Sequence, residues 1–351
     1  MLYYVLRFSQ KGMAIYMKAI LLTANKEKGQ NVYNEKNLEK IRREFDIEPT
    51  IFTKKDILSP NNDFSDVEVV FGCWGVETFS VQEIKEYLPN LKGVFYVGGS
   101  VQYFAKPFLE AGVRISGAWQ ANAVAVAEYI VSQMILGIKG VFLSRITHSS
   151  EWDVKKKLVI PVKGFYGIKI GILGSGAIGR KVIEFLSNYK ENQLEIYLYS
   201  PSLTEEKAKE LGVKKASVEE IFKECDIISN HIANNPQTFG FYTSKQFELM
   251  GEQVVFINSG RGEQIIECDL AEAMRKRPQS CALLDVTYPE PPTDRCPYFS
   301  VENIFVNPHI AGSQNNELER MVDYILRDAV NFKHEKGLNY EITLESLTRL
   351  A

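Results

Sequence analysis

Three side chains with acid–base or anion-binding chemistry lie in the last third of the sequence, each just beyond an apolar run. Arg261 stands in Asn-Ser-Gly-Arg-Gly, Glu290 in Asp-Val-Thr-Tyr-Pro-Glu-Pro, and His309 in Asn-Pro-His-Ile-Ala-Gly. A histidine titrates near neutral pH and can exchange a proton with a carbonyl oxygen. A neighbouring carboxylate orients the imidazole and favours its charged form, and a guanidinium can bind a carboxylate through two parallel hydrogen bonds. Together these groups suit hydride transfer to or from a carbonyl carbon.

Each of these residues also has an ordinary structural interpretation. His309 could be a hydrogen-bonded structural histidine, Glu290 could cap or solvate a proline-rich loop, and Arg261 could form a surface ion pair. The carboxyl ends of parallel strands, however, share one edge of a sheet, and such folds bind ligands there. The functional interpretation therefore gains strength if the same sheet also binds a nucleotide.

A glycine-rich turn over residues 169–180 supplies that evidence. An apolar run meets glycines spaced G-x-G-x-x-G, and an amphipathic segment follows. The order strand, tight turn and helix is typical of a dinucleotide site, because the backbone approaches the pyrophosphate and the helix N-terminus offers N–H groups to it. A glycine-rich turn without a ligand is the alternative. The residues predicted to contact the dinucleotide here are Gly174, Gly176, Ala177, Ile178 and Gly179.

Strands and helices alternate along the chain, which predicts parallel sheets in an α/β fold. In the first part we expect strands at 19–23, 67–71, 93–97 and 113–116, with helices at 35–46 and 81–88. In the second part we expect six strands, at 169–174, 195–200, 226–232, 254–258, 282–286 and 304–307. These six describe a doubly wound dinucleotide domain. An apolar helix over 122–143 separates the two series, Ser217 and Glu220 form a capping box, and a final helix covers 313–336.

Length and composition limit the remaining possibilities. A chain of 351 residues is long for a single core, so two domains are expected. The net charge of −3 predicts neither a nucleic-acid nor an anionic-membrane partner. Five cysteines without C-x-x-C or metal-ligand spacing predict a reducing, cytoplasmic location, no disulfides and no metal site. Residues 1–16 are expected to be an extension rather than a signal peptide, since Arg7 interrupts a short apolar run.

The combination of motifs resembles the D-isomer-specific 2-hydroxyacid dehydrogenases, a family that includes phosphoglycerate dehydrogenase, glyoxylate/hydroxypyruvate reductase and D-lactate dehydrogenase. The matching stretches are residues 122–128, the Gly174 turn, 258–262, 285–291 and 308–313. The resemblance implies that Arg261 binds the substrate carboxylate, that Glu290 is the partner of His309, and that His309 is the acid/base. It implies a small 2-keto or 2-hydroxy acid as substrate, held also by the turn Gly98, Gly99 and Ser100.

The resemblance also implies an architecture of two Rossmann-like doubly wound domains. A nucleotide-binding domain, residues 118–312, is then inserted in a flavodoxin-like substrate domain made of residues 17–117 and 313–351. The helix over 122–143 is expected to form a homodimer interface, as in the family.

The cofactor is expected to be NAD, with NADP possible. The family often has aspartate at the end of the second nucleotide-domain strand, where this chain has Ser200, but no arginine follows to bind a 2′-phosphate. Asp285 is also assigned to the cofactor site. His231 is either a cofactor contact or, with better support, a structural histidine. Trp74 either lines the substrate site or lies in a core.

Two other functions remain open. Formate oxidation on the same fold needs no acid/base, whereas this chain keeps a histidine–glutamate pair. A cofactor-sensing binding protein, like the corepressors of this fold, would carry the same three residues, so turnover is needed to separate it from an enzyme.

Overall fold

The computed structural model describes residues 16–147 and 162–347, which form two compact units. The first unit comprises residues 16–118 together with Leu318–Leu347, and the second comprises the described part of Trp119–Glu317. The chain therefore leaves the first unit after Ala118 and returns to it at Leu318. The N-terminal extension expected from the sequence, apart from Tyr16, lies outside the described residues.

The first unit contains a six-stranded sheet. Its strands are β1 (Lys18–Leu22), β2 (Asp46–Phe52), β3 (Val69–Cys73), β4 (Gly93–Val97), β5 (Arg114–Gly117) and β13 (Glu341–Ile342). Its helices are α1 (Lys26–Val32), α2 (Glu35–Arg42), α3 (Lys54–Ile57), α4 (Val81–Tyr87), α5 (Ala105–Glu110), α13 (Glu317–Lys333) and α14 (Leu344–Leu347). The strand order β2-β1-β3-β4-β5-β13 contains the flavodoxin-like order 2-1-3-4-5.

Three sequence expectations for this unit are wrong in detail. The helix expected over 35–46 ends at Arg42, and Asp46 instead begins β2. Pro49 obscures the strand pattern there, but β2 is an edge strand, where a proline breaks no inner hydrogen-bond ladder. The sheet is not wholly parallel, because β13 pairs antiparallel with β5. The final helix begins at Glu317 rather than at residue 313.

A fully buried carboxylate on α13, that of Asp328, holds the last strand in place. It accepts hydrogen bonds from the Ser116 hydroxyl at 2.7 Å, from the Asn339 N–H at 2.9 Å and from the Tyr340 N–H at 2.9 Å. A buried charge is tolerated when hydrogen bonds replace its water, so this residue ties the C-terminal segment to β5.

The second unit contains a seven-stranded parallel sheet in the order β12-β11-β10-β9-β6-β7-β8. Its strands are β6 (Lys169–Leu173), β7 (Glu195–Tyr199), β8 (Lys214–Lys215), β9 (Ile227–Asn230), β10 (Val255–Asn258), β11 (Cys281–Leu284) and β12 (Ile304–Val306). Its helices are α6 (Trp119–Ile138), α7 (Val141–Thr147), α8 (Ala177–Leu186), α9 (Glu205–Glu210), α10 (Val218–Glu224), α11 (Ser244–Phe247) and α12 (Glu267–Arg275). Three short 3-10 turns cover Lys190–Asn192, Gly262–Gln264 and Pro297–Ser300.

This order is the doubly wound 3-2-1-4-5-6 arrangement with one further strand. The sequence predicted six of these seven strands. The strand that it missed, β8, consists of two exposed lysines and carries no apolar pattern. Alternate residues of each inner strand enter two separate cores on the two faces of the sheet, as Ile257 and Phe256 do in β10. The capping box of Ser217 and Glu220 is confirmed at the start of α10.

The apolar helix expected over 122–143 is two helices. α6 ends at Ile138, Gly140 adopts a φ of 75°, and α7 begins at Val141. Glycine enters that backbone region without strain, which ends the helix. By length and composition alone α6 could span a membrane, but 56% of its most apolar window is buried within the protein. Ile130 and Met134 pack in the same core as β6 and β10, which is how a core helix behaves.

Candidate active site

The ends of the strands of the second unit bring together the residues singled out in the sequence. Gly174 follows β6, Ser200 follows β7, His231 follows β9 and Asp285 follows β11, while Arg261 lies three residues beyond the end of β10. Because all seven strands are parallel, these positions share one edge of the sheet. This edge is the ligand-binding edge of doubly wound folds.

The three glycines of the turn have three different physical roles. Gly174 has a φ of 111°, and a Cβ there would lie 2.4 Å from the His231 carbonyl oxygen. A Cβ on Gly179 would lie 2.0 Å from the Gly174 carbonyl oxygen, so helix α8 packs directly on the turn. Gly176 has no protein atom within 4 Å of an added Cβ. Protein packing does not require glycine at that position, and the open backbone leaves room for a ligand to approach closely.

The start of α8 is open to an anion. Gly176 is its N-cap, and no side chain caps the helix. The first N–H groups of a helix have no intrahelical partner and attract negative charge. Beside this turn the Ser175 hydroxyl donates a hydrogen bond to the Ser200 hydroxyl at 2.8 Å, which places Ser200 against the turn.

Buried polar atoms without partners also occur at this edge. Within the described residues, His231 Nδ1, Asn234 Oδ1, Ser259 Oγ and Ser313 Oγ are buried and have no hydrogen-bond partner. Such atoms are uncommon in a finished protein interior. Together with the open turn they fit a bound dinucleotide, whose polar groups would meet them.

His309 and Glu290 form a close pair. His309 Nδ1 lies 2.6 Å from Glu290 Oε1, and the two side chains are 44% and 42% exposed. Because Nδ1 contacts Glu290, Nε2 is the ring nitrogen that remains for another hydrogen bond. His309 has a φ of 54°, a left-handed conformation that is rare for residues other than glycine.

Asp285 explains how that conformation is held. Its side chain is 1% exposed, and its two oxygens accept the N–H groups of Ile310 at 2.9 Å and Ala311 at 2.8 Å. Burial raises the pKa of this carboxyl from its usual value, while the two backbone N–H groups oppose the shift. The sequence analysis predicted that Asp285 contacts the cofactor. In the structure both of its oxygens instead accept backbone N–H groups from the loop that carries His309.

Arg261 is half-buried and has no carboxylate partner among the described residues. One guanidinium nitrogen donates to the Gly260 carbonyl at 2.8 Å. Burial lowers the pKa of the Arg261 guanidinium from its usual value, and the charges of Glu290 and Glu263 oppose that change. The group stays positive at neutral pH, so it is a cation without a carboxylate partner among the described residues.

His231 does not share the chemistry of His309. It is 8% exposed, and its Nε2 lies 2.9 Å from the Ser229 hydroxyl. Burial lowers the pKa of His231 to about 3, so the ring is neutral at pH 7. A neutral ring takes no part in proton transfer at pH 7, while the unpartnered Nδ1 of His231 stays available to a bound cofactor.

Sequence reasoning missed a buried polar network next to Arg261. Asn230 donates to Asn258 Oδ1 at 2.9 Å and to Gln264 Oε1 at 2.7 Å, and the Tyr242 hydroxyl donates to Asn230 Oδ1 at 2.9 Å. The signal available was the amide residue that ends each of two apolar strands. The network links the loops after β9 and β10 and so fixes the segment that begins at Arg261.

The candidate substrate residues of the first unit lie at the ends of β3 and β4. A Cβ on Gly98 would lie 2.3 Å from the Tyr96 ring, so only glycine fits there. Gly98 is buried, and Gly99 and Ser100 are half-buried. Trp74 is also half-buried, its carbonyl accepts the Thr23 hydroxyl at 2.7 Å, and its ring centroid lies 6.0 Å from Lys28 Nζ. No cluster of three His, Cys, Asp or Glu residues in the described part of either unit could hold a metal.

The fold and the glycine turn define the second unit as a doubly wound dinucleotide-binding domain. The model for the NAD-binding domain of D-isomer specific 2-hydroxyacid dehydrogenases matches residues 134–311, half of the chain. The chain belongs to this family, and the resemblance drawn from its motifs is confirmed.

Individual relatives agree with the family. The chain is 26% identical over 267 residues to D-3-phosphoglycerate dehydrogenase of Archaeoglobus fulgidus, covering 76% of this chain and 50% of that protein. It is 27% identical over 284 residues to the enzyme of the same name from Methanocaldococcus jannaschii, covering 80% and 52%. The chain thus spans about half the length of these relatives.

Solved structures confirm the fold. D-mandelate dehydrogenase of Rhodotorula graminis matches with a TM-score of 0.76 at 16% identity, over 93% of this chain and 97% of that one. The expectation of two Rossmann-like α/β domains is therefore confirmed.

Proposed function

We propose that the protein catalyses reversible hydride transfer between NAD and C2 of a small D-2-hydroxy acid or its 2-keto form. The observation that carries this proposal is the contact of 2.6 Å between His309 Nδ1 and Glu290 Oε1. The same unit holds the unpaired Arg261 cation at the cofactor edge of its sheet. An acid/base and a carboxylate binder are what a 2-keto acid requires.

The proposed mechanism assigns one task to each group. During reduction, protonated His309 gives its Nε2 proton to the carbonyl oxygen, and in oxidation it takes that proton back. Glu290 accepts the hydrogen bond from Nδ1–H, which fixes the ring orientation and leaves Nε2 for the substrate. Arg261 binds the substrate carboxylate with two donors. The nicotinamide, when bound, gives or accepts the hydride at C4.

The residues proposed to hold the cofactor lie around the glycine turn. The open backbone at Gly176 and the uncapped N–H groups of Ala177 and Ile178 suit the pyrophosphate. We propose NAD in preference to NADP because no arginine follows Ser200 to bind a 2′-phosphate.

The arrangement of the chain supports three further parts of the proposal. The second unit is the nucleotide-binding domain and the first unit is the substrate domain. The protein is a homodimer through α6 and α7, which expose the apolar side chains of Leu136 and Val141. It works in the cytoplasm, in keeping with its five free cysteines. A monomer mass measured by light scattering would refute the dimer.

A panel of 2-keto acids tests the activity. Glyoxylate, hydroxypyruvate and pyruvate are each offered with NADH and with NADPH, and at least one is expected to be reduced with NADH. His309→Gln is expected to lower kcat by about a hundredfold or more while NADH binding is kept. No turnover of any acid, or near-normal turnover by the variant, would refute the proposal. A strong preference for NADPH would refute the cofactor assignment alone.

A further inference from the structure

Glu290 lies on an exposed loop that needs an anchor. Every residue from 288 to 295 is exposed except the half-buried Pro292, whereas Thr287 and Cys296 at its two ends are buried. Three prolines at positions 289, 291 and 292 restrict the backbone of this segment. In a stiff loop, fixing the two ends determines where the middle lies. The position of Glu290 therefore depends on what holds Tyr288 and Cys296.

One side chain contacts both ends. Glu267, the first residue of α12, accepts the Tyr288 N–H on Oε1 at 3.0 Å and the Cys296 S–H on Oε2 at 3.7 Å. Cys296 is 8% exposed, so this second contact lies at the inner end of the loop. A single carboxylate thus closes the loop that presents Glu290.

The same point of the loop is fixed to the segment that carries Arg261. A Cβ on Gly262 would lie 2.1 Å from the Thr287 carbonyl carbon and 2.7 Å from the Tyr288 nitrogen. The two backbones are therefore in direct contact, one residue after Arg261. Glu267 lies five residues after Gly262 and binds the Tyr288 N–H, so two points of the segment after Arg261 contact the start of the loop.

We propose that Glu267 is a positioning residue for the proposed reaction: by holding Tyr288 and Cys296 it keeps Glu290 on Nδ1 of His309. This inference rests on the proposed function for its kinetic consequence but not for its structural one. The charged groups near the pair are Glu290 and Asp285 around His309, and Arg261 near Glu290. Glu267 contacts none of them and acts only through the loop.

The tautomer of His309 gives a test that needs no turnover. While Glu290 accepts Nδ1–H, the neutral ring keeps its proton on Nδ1, and the two ¹⁵N chemical shifts report this state. Glu267→Ala is expected to release the loop and move both shifts toward the tautomer mixture of free histidine. His309→Gln identifies the resonance among the four histidines. In steady-state assays Glu267→Ala should lose about tenfold in kcat for keto-acid reduction, with the affinity for NADH unchanged.

Two further variants separate positioning from general damage to the helix. Asp269 lies in the same first turn of α12, but its carboxylate accepts the Ser244 N–H at 2.7 Å, on another loop. Asp269→Ala is expected to leave the His309 shifts at wild-type values. Glu267→Gln keeps an oxygen acceptor for Tyr288 and is expected to restore most of the Nδ1–H signature.

Three outcomes would overturn the proposal. They are unchanged His309 shifts in Glu267→Ala, an equal change in Asp269→Ala, and no recovery in Glu267→Gln. If the wild-type protein reduces no 2-keto acid, the proposed function fails, yet the shifts still decide whether Glu267 positions the pair.

Discussion

Replacing Glu290 with glutamine isolates the contribution of its negative charge to His309. The amide keeps an oxygen that can accept Nδ1–H, so the 2.6 Å contact loses its charge and keeps its geometry. A hydrogen bond to a charged group contributes roughly 1.5–3 kcal/mol. The side chains are 44% and 42% exposed, and solvent screens the pair, so we expect a loss of about 1–2 kcal/mol. This corresponds to a decrease of roughly fivefold to thirtyfold in kcat/KM for reduction.

The assay is the steady-state reduction of whichever 2-keto acid the panel identifies, with NADH, at one fixed pH near neutrality. His309→Gln serves as the reference, because it removes the proton donor and should cost more than Glu290→Gln. A loss smaller than twofold in Glu290→Gln would refute the assigned role.

Three further predictions follow from the site. Gly176→Ala should fold with wild-type stability but bind NADH more weakly in a fluorescence titration, whereas Gly179→Ala should lower the urea midpoint because its Cβ meets a carbonyl oxygen at 2.0 Å; equal stability of the two variants would contradict this. The folded protein keeps His231 neutral, with a pKa of about 3 against about 6.5 when unfolded. Below pH 6.5 the unfolded chain therefore binds more protons than the folded one. As pH decreases, this group should lower the free energy of unfolding by about 1.4 kcal/mol per pH unit, and urea titrations of His231→Asn should lack that slope. Arg261→Lys should raise KM for the keto acid by about tenfold with NADH affinity unchanged, because an ammonium lacks the paired donors of a guanidinium; a normal KM would exclude carboxylate binding by Arg261.

The sequence predicted those features that depend on a local pattern. The glycine turn and the apolar strands of the second unit have such patterns, and the position of His309 after a strand followed from them. Features that depend on distant partners were missed. Strand β2 contains Pro49 and is recognisable only from its edge position, and β8 and β13 are each two residues long.

The roles of individual side chains divide in the same way. Glu290 was predicted to be the partner of His309, and His309 Nδ1 does contact Glu290 Oε1. Asp285 has the same chemistry, but its two oxygens bind backbone N–H groups 25 and 26 residues away, which no spacing rule reveals. The Asn230 network likewise joins residues 28 and 34 positions apart.

The buried Asp328 has a consequence for the order of events during synthesis. The ribosome releases the second unit as one continuous stretch, whereas the first unit lacks α13 and β13 until about residue 342 has emerged. Domains usually fold as units from the N-terminus onward. Because Asp328 can reach Ser116 only after α13 has emerged, the second unit is expected to complete its fold on the ribosome before the first unit.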